Sequence, residues 1–174
     1  MPVAGTDMNL KYSVSAAAGN TTAGSQASSL GDQVSTTALA TSGLNVQWDD
    51  VSSAEALAGD TEYRCFFVCN DHATDSALNV TISVQVQATR STFTVAADNI
   101  GVTAKGSGSA QALTIANENT APSGGAGVGT FGSSASLGTI PAGSVAAFWL
   151  RRVTGASTAA LNPDNATLRI GGDG

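Results

Sequence analysis

The chain carries a single histidine, His72, and the common acid–base and nucleophilic mechanisms lean on such a residue. It stands in Asn70-Asp71-His72-Ala73-Thr74-Asp75, which reads as a strand-to-strand turn. A Ser–His–Asp triad would have to use it. Serine is so abundant here that a hydroxyl near His72 has little specificity, and the residue reads as a polar turn histidine. Acidic residues are dense only at Asp50, Glu55, Asp60 and Glu62. Their spacing gives no evident carboxylate pair for cleaving a glycosidic bond, so they read as helix-end and turn residues.

Other motifs lead no further towards catalysis. Gly124, Gly125, Gly127 and Gly129 are spaced loosely like a phosphate-binding loop, but that motif needs a strand before it and a helix after it. Here Pro122 and Ser123 precede and more Gly and Ser follow, so a flexible surface loop is predicted. Asn162-Pro163-Asp164-Asn165 and Gly171-Gly172-Asp173-Gly174 hold too few carboxylates for a calcium cage. The N-x-[ST] triplets at Asn20, Asn79 and Asn165 are glycan acceptors only in a secretory pathway. Cys65 and Cys69 lie on one extended run, where four residues span roughly 13 Å. A disulfide needs Cα atoms within about 7 Å, so these read as two buried thiols. Phe148-Trp149-Leu150-Arg151-Arg152 interleaves aromatic and basic residues as nucleic-acid-binding sheets do. It also fits a core strand leaving the core through a paired arginine end, which is the preferred reading. The same arginines could instead clasp acidic groups of a protein neighbour.

The elements that would position these residues are strands. From Leu78 to Gln87, Leu78, Val80, Ile82, Val84 and Val86 alternate with polar residues, which places one face on a core and the other in water. Phe93, Val95 and Ala97 alternate, and after an Asp98-Asn99 turn signal so do Ile100, Val102 and Ala104. Leu113 with Ile115, Leu168 with Ile170, and Leu10, Tyr12 and Val14 follow the same rule. Tyr63 to Cys69 and Val145 to Val153 are apolar on both faces, which predicts central strands. Turn-rich stretches separate them at Ala16–Gly31, Gly106–Ser109, Asn117–Gly138 and Thr154–Asn165. The longest, Asn117–Gly138, is too long for a silent connection and predicts a lid, a binding loop or a segment ordered by a neighbour. One short helix is predicted after the capping box Ser52-Ser53-Ala54-Glu55, ending at Gly59 and packed through Val51 and Leu57.

Composition agrees with an all-β chain. The 174 residues include 20 glycines and only 11% charged residues, so the residues that usually cover solvated helix faces are scarce. The length suits one core. A net charge of −6 argues against general nucleic-acid binding, which needs lysine and arginine against phosphates. Residues 1–20 show no basic cluster followed by an apolar core, so no secretory leader is expected. No apolar run reaches the length of a membrane span.

Several blocks resemble structural proteins of tailed-phage virions. They are Trp48-Asp49-Asp50-Val51-Ser52-Ser53-Ala54-Glu55 with Ala58-Gly59-Asp60-Thr61-Glu62-Tyr63-Arg64-Cys65, then Ala116-Asn117-Glu118-Asn119-Thr120-Ala121-Pro122. Ile140-Pro141-Ala142-Gly143, Trp149-Leu150-Arg151-Arg152-Val153 and Thr167-Leu168-Arg169-Ile170 follow in order, and Ala27-Ser28-Ser29-Leu30-Gly31 precedes them. Ser123 to Ser136 departs from the pattern by being richer in Gly and Ser. The resemblance implies a virion role without enzymatic activity, on head or tail.

Taken together, the sequence predicts a two-layer antiparallel β-sandwich, Ig-like or jelly-roll-like, over 32–174, with an N-terminal arm and Ser/Gly-rich segment over 1–31. The expected function is a capsid decoration or cement protein, made in the host cytoplasm and bound to the outer surface of the head. Its expected partners are the major capsid protein and copies of itself, a trimer being the expected oligomer. No nucleic acid, membrane, small-molecule substrate, metal or cofactor is expected. Leu10, Tyr12, Arg151 and Arg152 are the expected partner-contact residues. The rival reading is a tail or baseplate component that binds the host surface.

Overall fold

The two stretches that are apolar on both faces become the centre of the protein. In the computed structural model, which describes residues 3–15, 21–43, 45–157 and 165–173, they form β3 (Asp60–Asn70) and β8 (Ser144–Thr154), paired along their whole length. Around them lie β1 (Met8–Val14), β2 (Gly31–Ala38), helix α1 (Ser53–Ala58), β4 (Ala77–Val86), β5 (Ser91–Ala104), β6 (Ala112–Thr114), β7 (Ser134–Ile140) and β9 (Thr167–Asp173). A six-stranded sheet runs β5-β8-β3-β1-β2-β6, and a three-stranded sheet runs β7-β4-β9. Every strand pair within them is antiparallel. The protein is an all-β structure of two packed sheets.

Period-two alternation divides the side chains of β3 and β8 between two cores. Phe66, Val68, Ala146, Phe148 and Leu150 face the small sheet, where Val80, Ile82, Leu137 and Ile140 meet them. Cys65, Phe67, Cys69, Val145, Ala147 and Trp149 face the other way and pack with Val34, Ala112 and Ile115. Both cysteines are free and fully buried there.

The second core is enclosed because the large sheet curls on itself. Gln111, 1% exposed, accepts from Val34 N on β2 at 3.0 Å and donates to Ala104 O on β5 at 2.8 Å. Asp98 on β5 accepts from Leu113 N on β6 at 2.8 Å and from Trp149 Nε1 at 2.9 Å. Two buried polar side chains thus join the outer strands of one sheet, with their hydrogen-bonding capacity well used. The curl also needs Gly31, where φ is +101° and a Cβ would stand 1.7 Å from Leu113 O.

Several expectations are corrected. Met8–Val14 is no arm: β1 lies between β2 and β3 and pairs with both, so this strand does not stand apart from the sandwich. Asp98-Asn99 is no turn between strands but an irregularity inside the single strand β5, where the register with β8 shifts between Ala97 and Val102. In β4 a bulge at Asn79, φ +50°, breaks the alternation. It sends Leu78 outward, 46% exposed, and puts Ala77 and Val80 inside. The stretch Asn117–Gly138 is not a free lid along its length. Gly127, Gly129 and Gly132 bond to Asn99, Ala97 and Val95, covering the outer edge of β5, and Ser134 onward belongs to β7. The capping box forms as expected, with Gly59 at φ +80° and ψ 148°, outside the left-handed helical region. Leu57, expected to pack the helix down, is 72% exposed.

Asn20, Asn162, Pro163, Asp164 and Gly174 lie outside the described residues.

Candidate functional site

The row of core residues on β3 and β8 turns ionic at one end. Glu62 and Arg64 continue the row of Phe66 and Val68, and Arg152 continues that of Phe148 and Leu150. Glu62 and Arg152 are cross-strand partners, so their side chains emerge side by side on one face. Arg152 donates to Glu62 Oε2 from Nε at 2.6 Å, and its Nη2 lies 2.5 Å from the same oxygen. Its Nη1 reaches Asp49 O at 3.0 Å. Arg64 pairs with Glu118, and both arginine Nη2 atoms lie 3.8 Å from Asp49 Oδ1.

Trp48 closes the cluster, with both guanidinium groups over its ring, Arg152 at 4.8 Å and Arg64 at 5.4 Å from the centroid. Such cation–π contacts are worth about 0.5–2 kcal/mol each, more when dry. They help offset the cost of taking charges out of water, which ion pairing alone often fails to recover. The cluster ties the chain at 48–49 and the loop at Glu118 to the two central strands. Asn119 adds a bond from Nδ2 to Asp60 Oδ1 at 2.9 Å.

Chemically, the cluster holds the carboxylates of Asp49, Glu62 and Glu118 with ligand atoms within 4.8 Å of one another. Burial pushes the Glu62 carboxyl up to about 7, against the lowering pull of Arg152. Arg152 holds Glu62 and Arg64 holds Glu118, Asp49 Oδ1 lies 3.8 Å from both guanidinium groups, Glu62 is 2% exposed, and the cavities beside β9 are lined by other residues. The arrangement works as a structural lock.

The four residues expected to meet a partner are placed differently from one another. Tyr12 is buried, its hydroxyl donating to Val46 O at 2.5 Å and its ring 6.0 Å from Phe66. Arg152 is buried in the lock, the paired end of a core strand. Leu10 is half-buried against the first core. Arg151 is half-exposed, with Nε donating to Thr94 Oγ1 at 3.0 Å and its guanidinium 4.9 Å from the Phe131 ring centroid. Tyr12 and Arg152 are therefore spent inside the fold, which leaves Leu10 and Arg151 with surface to offer. His72 sits in its turn, where Nδ1 accepts from Thr74 N and Asp75 N.

Reading Glu62 as a turn residue missed the lock. A signal was present: Glu62 and Arg64 alternate at the entry to a run, Cys65–Cys69, that is apolar on both faces. Charges in such a strand require partners.

No protein-family model matches the chain, and no curated protein or solved structure matches it.

Proposed function

We propose that the chain is a non-enzymatic structural protein of a tailed-phage virion, acting as a capsid decoration or cement protein on the outer surface of the head. The observation that carries this reading is where the resembling blocks meet. Trp48, Asp49, Glu62 and Arg64 come from the first pair of blocks, Glu118 from the next and Arg152 from a later one. All converge on the lock. The blocks thus share residues that hold the fold together, which supports a structural reading. This suits a protein whose work is done by its shape and surface.

Binding to the assembled head and not to its free components would stabilise the particle by mass action. The acidic balance of −6 suits an outward-facing position better than one against packaged DNA.

Co-sedimentation of the purified protein with empty heads and, separately, with isolated tails tests the reading. Saturable binding to heads alone is expected. Binding to tails, or binding that requires host cells, overturns it in favour of an adsorption role.

A further inference from the structure

The two sheets are unequal, and the small one stops at β9. Val84 N donates to Ser133 O on the β7 side, so the neighbouring residues Thr81 and Ser83 turn their backbone groups towards β9. They face Gly171 and Arg169 there. By the pleat, Leu168 and Ile170 turn their N–H and C=O groups to the other side. No described residue bonds to them. Beside this edge lies a cavity of ≈ 380 Å³ whose walls include Met8, Leu10, Ala38, Leu39, Leu168 and Ile170. A second cavity of ≈ 170 Å³ continues past Met8 and Ile170 towards Val3 and Gly172. A ladder edge without a partner among the described residues, above a groove of mixed lining that has Leu168 and Ile170 on its apolar side, is the arrangement that accepts an added strand.

We infer that the β9 edge is a docking site for an extended segment of a different protein chain. That segment is apolar at alternate residues and acidic opposite Arg169. The ladder sets the alternation: residues opposite Leu168 and Ile170 point into the groove, and the one between them points outward beside Arg169. Arg169 is exposed, and no described residue pairs with its guanidinium.

A second copy of β9 does not meet these demands. In the antiparallel register that sets its Asp173 opposite Arg169, Gly172 lies opposite Ile170 and fills nothing. Where its Leu168 and Ile170 both lie over the groove, Arg169 meets Arg169. In the intermediate register, Arg169 faces Gly171. The site rests on this edge alone, so its failure leaves head binding untouched.

The test is an NMR titration of the full chain with the blocked peptide Val-Thr-Val-Asp-Val-Thr-Val. The amides of Leu168 and Ile170 are expected to shift and gain protection from exchange, with Kd below about 1 mM. Arg169→Glu should weaken binding by about three-fold, the size of an exposed ion pair, and replacing Asp with Lys in the peptide should restore it. No response at those amides up to about 1 mM peptide, or a response confined to another face, overturns the inference. So does sedimentation showing two copies joined through these amides.

Discussion

Glu62 places a carboxyl group 2% exposed beside Arg152, and its titration is a direct measure of the lock. Burial raises it from an ordinary value near 4.5 to about 7. Between those values the folded chain holds a proton that the unfolded chain releases. The contribution of this group to stability therefore falls as pH rises from about 4.5 to about 7 and is level above that. An amide at this position would not titrate. The stability of Glu62→Gln relative to the native chain should rise across that window and then flatten, as read from urea midpoints at a series of pH values. A constant difference would show that Glu62 keeps an ordinary carboxyl inside the lock.

At the scale of the element, α1 separates local from tertiary contributions. Its start is fixed within the segment itself: Glu55 N donates to Ser52 Oγ at 3.2 Å, and Ser52 N donates to Glu55 Oε2 at 2.6 Å. Ser52→Ala should cost about 1 kcal/mol of unfolding free energy. Leu57→Ser should change it by less than about 0.5 kcal/mol, because Leu57 is 72% exposed. Chemical denaturation of both variants checks the pair. A larger loss at Leu57 than at Ser52 would mean the helix is held by packing after all. The difference follows from range: the capping box needs residues three apart in sequence, whereas the environment of Leu57 depends on what the rest of the chain brings to it.

For the whole molecule, Cys65 and Cys69 report on the integrity of the curled sheet. Both are 0% exposed, and burial raises both thiols, Cys69 to about 11. A thiolate-seeking reagent therefore needs an opening that exposes β3. Labelling of the native protein should be slow and should accelerate with urea in step with loss of the β-sheet signal. Rapid labelling in native buffer would show that the second core opens separately from the first.

The class of fold and the two central strands were legible in the residues alone, because strand periodicity and burial on both faces are local properties of a short run. So was the helix start, since Ser52 and Glu55 lie within one turn. The rest came from long-range contacts. A single left-handed residue at Asn79 inverted Leu78, since one inserted residue flips every side chain beyond it to the other face. The place of Met8–Val14 inside a sheet depended on partners at Ala38 and Phe67, far along the chain. The lock joined Asp49, Glu62, Glu118 and Arg152, which no spacing in sequence relates. Local pattern reports which face of a strand is buried. Which strands become neighbours, and which charges then meet, follows from contacts that only the folded chain makes.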